Sequence, residues 1–268
     1  MREILFEGSG YQLPLIESAV IPRGFRHGFT TRRGGVSRPP YDSFNLGGKW
    51  GDDAALVAEN RRRFRAAAGD RDVHFATQVH GHAVARVSAS DPVERTGALR
   101  ADAVATAVPG TAVGVYVADC VPILLADTRT GACAAVHAGW RGTVAGVLAE
   151  AIRHLTVELG ARPADLRVAI GPSIGPCCFE VGPEVVDAVE AAFPAARAAD
   201  AILTHKPKAH VDLWTLNRLT ARELGVAADA IDVAGLCTAC DRERFFSYRR
   251  DHGQTGQLAA FIVSEGPA

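Results

Sequence analysis

The stretch "ADCVPILLADTRTGACAAVHAGWRG", residues 118–142, contains two apolar runs joined by the turn-forming sequence Thr-Arg-Thr-Gly. This pattern predicts two neighbouring strands with the spacing of a β-hairpin. Cys120 stands directly before the first run, and His137 stands at the end of the second. We therefore expect a thiol and an imidazole to converge at one edge of a sheet, immediately before a glycine-rich turn.

The rest of the chain predicts an α/β (α+β) protein. Several apolar runs show no alternation, which is typical of strands covered on both faces. We interpret 245–250 and 258–264 as further strands, and helical periodicity marks 52–69 (capped by Asp52 or Asp53), 143–160, 183–193 and 212–225. Because strands and helices do not alternate strictly, we expect a single compact domain, residues 1–268, of mixed β-sheets with flanking helices.

Composition argues against several classes of protein. Lys and Arg number 29 against 30 Asp and Glu, giving a formal net charge of -1, so no global field recruits nucleic acid or an anionic membrane. No apolar run is long enough for a membrane span, and the N-terminal segment does not resemble a signal peptide. Six cysteines in 268 residues are too few for a disulfide scaffold. We expect a cytoplasmic protein with reduced thiols.

Histidines near the hairpin extend the candidate site. His80, in "QVHG", follows an apolar run, and His82 lies two residues further on; spacing alone does not decide between them. One such histidine with Cys120 and His137 makes a three-ligand zinc site with an open position, which is the catalytic form. Alternatively, Cys120 is a nucleophile with His137 as its base and no metal is bound. Simple packing of a small buried thiol is the third interpretation.

Two arginine-rich and glycine-rich segments are candidates for anion binding. Arg141, in "AGWRGT", precedes a helix whose N-terminal N–H groups attract anions. Arg32, Asn45 and Lys49 lie in a second such segment, which is either a surface loop or a set of polar substrate contacts. Phe179 is a candidate stacking platform, although core packing explains it equally well.

The remaining cysteines offer a weaker pattern. "CTAC" at 237–240 has the spacing of half a structural zinc site. Its partner pair, Cys177 and Cys178, is adjacent rather than C-x-x-C, so the spacing argues against a four-cysteine site. The adjacent pair either lines a pocket or packs in the core.

Seven motifs occur in a fixed order: "HGFTTRRGGVS", "YDSFNLG", "QVHG", "ADCVPILLAD", "AAVHAGWRGT", "IGPSIGPCCFEVG" and "FFSYRRDHGQTG". Together, from about residue 25 to about residue 263, they resemble the laccase-domain family. This family was once called multicopper polyphenol oxidases and is now described as purine nucleoside phosphorylases related to the peptidoglycan editing factor. The resemblance implies a zinc ion bound by His80, Cys120 and His137, with His82 outside the site.

The resemblance also implies an activity. It is phosphorolysis of adenosine, inosine and methylthioadenosine, together with adenosine deamination, so the expected partners are purine nucleosides and phosphate. We expect Cys120, His137 and Arg141 to be catalytic. Arg141 and Arg32 would hold phosphate with help from Asn45 and Lys49, and Phe179 would wall the purine pocket.

One departure from the family pattern concerns the last motif. The family usually reads "TGR", whereas Gln257 replaces that arginine here, and His252 stands where a small residue is common. Substrate preference is open for this reason.

Other functions use the same residues. A peptidoglycan-precursor editing hydrolase would act in the same pocket. Nine scattered histidines argue against a multicopper oxidase, although copper binds nitrogen and sulfur ligands more tightly than zinc and can occupy the site adventitiously. Glycine-rich loops and convergent polar residues argue against a non-catalytic scaffold. The sequence does not predict an oligomeric state.

Overall fold

The computed structural model describes residues 1–204 and 208–266; residues 205–207 and 267–268, which the predicted domain included, lie outside the described residues. The strands are β1 (Arg2–Gly8), β2 (Tyr11–Glu17), β3 (Phe25–Thr30), β4 (Val73–His74), β5 (Val84–Arg86), β6 (Ala103–Thr106), β7 (Ala112–Val117), β8 (Val121–Asp127), β9 (Cys133–Ala138), β10 (Leu166–Ile170), β11 (Ile202–Leu203), β12 (His210–Val211), β13 (Ile231–Val233) and β14 (Leu258–Ser264). The helices are α1 (Ala54–Ala67), α2 (Val93–Ala98), α3 (Trp140–Val144), α4 (Val147–Val157), α5 (Pro183–Ala192) and α6 (Leu213–Glu223). None of the helices within the described ranges has both the length and the apolar character needed to cross a membrane.

Two six-stranded sheets dominate the fold. The first has the order β1-β2-β3-β14-β7-β4 and the second has the order β13-β10-β8-β9-β6-β5, while β11 and β12 form a small separate pair. Both large sheets mix parallel and antiparallel neighbours: β10 pairs with β13 in parallel and with β8 in antiparallel register. The expected mixed α/β architecture in one compact domain is therefore confirmed.

The two sheets share a core, and helices cover the outer face of each. Alternate residues of β7 and β14 meet alternate residues of β8 and β9, as Val115 and Ala260 meet Leu124 and Ala135. Helix α1 covers the other face of the first sheet through Phe64, while α4 and α6 cover the second. Strands β8 and β14 are consequently buried along their whole length, which confirms the inference drawn from their unbroken apolar runs.

The helix termini follow the capping pattern read from the sequence. The Asp53 carboxylate accepts a hydrogen bond from Ala55 N–H at 2.7 Å, and the Asp212 carboxylate accepts one from Thr215 N–H at 3.1 Å. Such caps satisfy N–H groups that have no partner inside the helix. Of the two caps considered for the first helix, Asp53 is the one observed.

Two expectations about secondary structure were wrong. The helix predicted over 143–160 is two helices, α3 and α4, because Gly146 adopts the left-handed conformation (φ 81°) and breaks the helical path. The strand predicted over 245–250 is irregular at 245–247 and a turn at 248–250. Hydrogen bonds from Ser247 and from the backbone N–H of Arg249 to Asp119 draw this segment away from any sheet.

Candidate metal centre

The expected ligands His80, Cys120 and His137 meet where the chain passes between the two sheets. His80 lies in the loop after β4 of the first sheet, Cys120 lies between β7 and β8, and His137 belongs to β9 of the second sheet. Their ligand atoms all lie within 4.8 Å of one another, whereas His82 is not part of the group. The three residues form what we call the triad.

The geometry of the triad fits one metal ion. The Nε2 atom of His80 lies 3.9 Å from the Cys120 sulfur, and the His80 and His137 rings stand edge to face with centroids 4.9 Å apart. Tetrahedral zinc with ordinary bond lengths separates its nitrogen and sulfur ligands by about 3.6 Å. Two nitrogen atoms and one sulfur atom also suit zinc chemically, and three ligands leave the fourth position open.

Asp102 orients two of the three ligands. Its buried carboxylate lies 2.8 Å from Nδ1 of His137, which leaves Nε2 for the site. The same carboxylate accepts hydrogen bonds from the backbone N–H groups of Val79, His80 and Gly81 at 3.1, 2.9 and 2.7 Å. These bonds hold His80 at a φ of 60°, a conformation that residues other than glycine rarely adopt.

Gly139 makes room for the ligands. A Cβ atom at this position would lie 2.9 Å from the Cys120 sulfur and 3.1 Å from Cδ2 of His80. Both distances are shorter than ordinary van der Waals contacts. Any side chain at Gly139, the first glycine of the "HAGWRG" motif, would therefore collide with the ligands.

The triad favours a thiolate at Cys120. Burial raises the pKa of the Cys120 thiol, but the imidazoles of His137 and His80 outweigh burial and lower that pKa to about 6. Burial also lowers the pKa of His137, but Cys120 and Asp102 outweigh it and raise that pKa to about 9. A thiolate is the form of cysteine that binds metals.

Asp119, directly before Cys120, connects the triad to distant loops. It has a φ of 83°, and its carboxylate accepts hydrogen bonds from the Thr238 hydroxyl at 2.6 Å, the Ser247 hydroxyl at 3.0 Å and the Arg249 N–H at 2.7 Å. Its carbonyl accepts a bond from Ile174 N–H at 2.9 Å. The backbone beside Cys120 is thereby tied to two loops, 171–182 and 234–257.

A cavity of about 750 Å³ opens over the triad, a volume typical of small-molecule sites. Its walls include two aromatic pairs: Phe75 stacks on Tyr116 with centroids 4.0 Å apart, and Trp50 lies 5.8 Å from Tyr248. These walls can accept a flat ring, and the triad lies beside them.

The structure brings only some of the other predicted residues to this cavity. Lys49, Arg141 and Phe179 line it. Arg32 is not among the lining residues, because its guanidinium binds the Asp42 carboxylate at 3.1 Å and lies over Phe246. The expectation of a direct phosphate contact for Arg32 does not fit this placement.

Asn45 is also absent from the cavity wall, so the expected direct contact with substrate does not fit it. It is buried, and its side chain bonds to Gly47, to the Asp52 carboxylate and to the backbone N–H of Gln257. Gln257 itself lines the cavity, whereas His252 does not. Of the two departures from the family pattern, the one at 257 is therefore placed to affect substrate.

The spacing argument against a four-cysteine cluster was wrong. The sulfur atoms of Cys177, Cys178, Cys237 and Cys240 all lie within 4.8 Å of one another. The adjacent pair sits in a turn, where consecutive side chains need not point to opposite sides as they do in a strand.

Sequence reasoning assigned no role to Asp102, Asp119 or Arg249. Asp102 stands just before an apolar strand and in none of the seven motifs, so the sequence carried no signal for it. Asp119 lies in the motif "ADCVPILLAD", directly before Cys120, which marked its position but not its contacts. Arg249 lies in the "FFSYRR" motif, and its guanidinium lies 5.4 Å from the centre of the Phe179 ring. That motif was a signal for the region but not for the residue.

Fold and site together define a mixed α/β protein in which two histidines and one cysteine can hold a metal ion beside a cavity. The chain belongs to the family described as multi-copper polyphenol oxidoreductase laccase, whose model matches residues 26–265. This match confirms the resemblance read from the seven motifs.

Named relatives and solved structures agree with this assignment. The chain is 41% identical over 244 residues to the purine nucleoside phosphorylase YfiH of Escherichia coli (strain K12), covering 90% of this chain and 94% of that one. It is 37% identical over 243 residues to the purine nucleoside phosphorylase YlmD of Bacillus subtilis (strain 168), covering 88% and 87%. The crystal structure of YlmD from Geobacillus stearothermophilus matches with a TM-score of 0.86 and 32% identity over 98% of this chain and 99% of that one.

Proposed function

We propose that this protein is a zinc-dependent purine nucleoside phosphorylase that converts adenosine, inosine and methylthioadenosine to the free base and ribose 1-phosphate, with adenosine deaminase activity at the same site. The observation that carries the proposal is the triad at the wall of a 750 Å³ cavity that combines aromatic and cationic side chains. The names of the relatives support the phosphorylase activity.

The aromatic walls suit a purine. A purine base has two flat faces, and stacking on aromatic rings stabilises such a group. Phe179, buried and covered on one side by the Arg249 guanidinium, is the rigid part of this wall. Tyr248 is half-exposed and can close over a bound base.

Arg141 and Lys49 are the proposed phosphate contacts. Both are exposed and line the cavity, and the Arg141 guanidinium lies 4.3 Å from the centre of the Trp140 ring, which limits its orientations. In phosphorolysis a phosphate oxygen attacks C1′ of the ribose, the bond from C1′ to the base breaks, and the base leaves with the electron pair and takes up a proton. Two cations can hold the attacking phosphate in place for this displacement.

Within the triad, His80, Cys120 and His137 would hold the zinc ion, with Asp102 fixing the ring of His137. When bound there, zinc supplies Lewis acidity for the deamination reaction.

A second candidate function follows from one specific contact. His137 lies between Cys120 and the Asp102 carboxylate, which is the arrangement of a cysteine nucleophile, its base and the residue that orients the base. A hydrolase of this type needs no metal and is inactivated by alkylation of Cys120. Peptidoglycan precursors are one substrate class for such a hydrolase.

Turnover of adenosine and inosine, with and without phosphate, tests the proposal by chromatography, with metal content measured on the same preparation. We expect free base and ribose 1-phosphate only when phosphate is present, bound zinc at the triad, and loss of both in Cys120→Ala. Zinc without nucleoside turnover would contradict the substrate assignment and direct the search to peptidoglycan precursors. Thiol-dependent hydrolysis by a protein with no zinc at the triad would favour the cysteine hydrolase.

A further inference from the structure

Four cysteines outside the triad have their sulfur atoms close together. We call this group the four-cysteine cluster: Cys177, Cys178, Cys237 and Cys240. The Cys240 sulfur lies 3.5 Å from that of Cys177 and 3.4 Å from that of Cys178. All four sulfur atoms lie within 4.8 Å of one another. Cysteines that are 60 residues apart in the chain are thus collected at one point.

These separations match the ligand shell of a single ion. Zinc with four thiolate ligands at about 2.3 Å in a tetrahedron places its sulfur atoms about 3.8 Å apart. The observed separations lie close to this value. A set of four sulfur ligands selects zinc over the harder cations, and it leaves no position open for substrate.

The backbone around the cluster resembles a pair of ligand-bearing turns. On one side, Gly175 O accepts hydrogen bonds from the N–H groups of Cys178 and Phe179 at 3.0 and 2.9 Å. On the other, Cys237 O accepts one from Asp241 N–H at 3.1 Å. Each turn supplies two sulfur atoms.

A further bond joins the two turns. The Gly175 N–H donates to the Cys237 sulfur at 3.3 Å, and Ser173 pairs with Cys237 as an isolated parallel bridge. Backbone N–H bonds to sulfur stabilise a thiolate, which is the ligating form. The turns are therefore held in the arrangement that brings their sulfur atoms together.

A disulfide accounts for less of this arrangement. One disulfide would join two of the four sulfur atoms and leave the other two with no reason to gather. Cys240 is nearly equidistant from Cys177 and Cys178, so the geometry does not select either as its covalent partner. One ion bound by all four explains the whole cluster.

We infer that the four-cysteine cluster is a structural zinc site, separate from the triad, that joins the loop 173–180 to the loop 236–241. This inference goes beyond the proposed function; the expected total of two ions rests on the zinc proposed for the triad, whereas the four-cysteine site itself does not. The site would brace two parts of the cavity. Phe179 of the cavity wall follows Cys178, and Thr238, which lies between Cys237 and Cys240, bonds to Asp119 beside Cys120.

Metal counting on the full-length protein, purified under reducing conditions without chelator, tests the inference. We expect two zinc ions per chain in the wild type, one in Cys240→Ser and one in His80→Ala. Cys240 is exposed, so its substitution is compatible with folding, and zinc retained at the triad of Cys240→Ser reports that the variant is folded. Cys177→Ser, also at an exposed position, is the second variant. Cys133→Ala, outside both groups, is the matched control and should keep two ions.

Cobalt substitution gives a readout that is independent of activity. Cobalt bound by four thiolates shows intense sulfur-to-metal charge-transfer bands, which should persist in His80→Ala and fall to a small fraction in Cys240→Ser. The inference is overturned if Cys240→Ser binds as much zinc as the wild type. It is equally overturned if Cys240 of the freshly isolated wild type is found by mass spectrometry in a disulfide. Failure of nucleoside turnover would leave these measurements unaffected.

Discussion

The Asp102 carboxylate lies 2.8 Å from Nδ1 of His137 and is fully buried. Because a carboxylate accepts but does not donate, this contact places the proton of the neutral imidazole on Nδ1 and presents Nε2 to the site. The same carboxylate also binds the backbone that carries His80. One side chain thus sets the orientation of two ligands, one in a strand of the second sheet and the other in the loop after β4.

Replacement of Asp102 should therefore weaken zinc binding. We expect Asp102→Asn to lower the affinity of the triad for zinc by about 10- to 100-fold, the range found when groups that orient metal ligands are removed. Competition with a chromogenic chelator measures this affinity. The zinc bound at the triad is identified as the zinc that the wild type binds and His80→Ala does not.

Asp127→Asn is the matched control, because the Asp127 side chain is equally buried and its carboxylate accepts hydrogen bonds from Arg129 N–H and the Thr130 hydroxyl in the turn after β8, away from the triad. An unchanged affinity in Asp102→Asn would contradict the orienting role.

Gly139 should not tolerate a methyl group. In Gly139→Ala the added Cβ would overlap the Cys120 sulfur and the His80 ring, so we expect the triad to bind zinc about 5- to 150-fold more weakly, as follows from an overpacking cost of about 1 to 3 kcal/mol. Gly24→Ala serves as control, since its nearest neighbour, Gly266 O, would lie 3.7 Å from the new Cβ. Equal zinc affinities in the two variants would show that the ligands can move aside.

Replacement of Arg141 should change the kinetic constants for phosphate more than those for the nucleoside. We expect Arg141→Ala to lower kcat/KM for phosphate by roughly 10- to 100-fold, the equivalent of one charge-assisted hydrogen bond of about 1.5 to 3 kcal/mol. Arg141→Lys should recover part of the loss, because lysine keeps the charge but not the planar donor pair.

Steady-state kinetics with phosphate varied at saturating inosine provides the measurement. Arg153→Ala, which removes an exposed arginine paired with Glu150 on α4, is the control. If Arg141→Ala leaves both KM for phosphate and kcat unchanged, Arg141 is not part of the site.

His27 should make the protein less stable in acid. Burial lowers the pKa of His27 below its ordinary value of 6.5, and the ring accepts a hydrogen bond from Ser18 N–H at 3.0 Å. The unfolded chain thus binds a proton more readily than the folded one. The contribution of neutral His27 is fully present above about pH 6.5 and is lost as pH falls below that value.

Urea unfolding at about pH 7.5 and about pH 5.5 tests this prediction. We expect the loss of unfolding free energy between the two pH values to be smaller in His27→Gln than in the wild type, by up to about 1.4 kcal/mol. Comparing the pH-dependent losses of the two proteins cancels every contribution that they share. His82→Gln, at an exposed position, is the control and should behave like the wild type.

The sequence predicted correctly those elements whose formation depends on interactions within a short segment. The hairpin of β8 and β9 and the helix capped by Asp53 follow from apolar periodicity and capping, which are properties of short segments. The prediction of a strand over 245–250 was wrong because the bonds of Ser247 and Arg249 to Asp119 span 128 and 130 residues. No short window of sequence contains that information.

The same distinction holds for the site. The triad was reached through motifs, since spacing alone left His80 and His82 equivalent. Asp102 could not be recognised, because its importance lies in the loop that folds around its carboxylate. The spacing of the cysteines argued against the four-cysteine cluster. Spacing could not reveal the cluster, because the pairing of Ser173 with Cys237 that brings the two turns together is a long-range contact.

His80 and Cys120 each lie in a connection that runs from the first sheet to the second, and they are 40 residues apart in the chain. An ion that binds the folded triad and not the unfolded chain would stabilise the fold by an amount that grows with the concentration of free metal relative to its dissociation constant. With zinc as the ion, as proposed, the concentration of free zinc would set how much of the protein is folded as well as how much is active. A cell short of zinc would then lose folded protein together with activity.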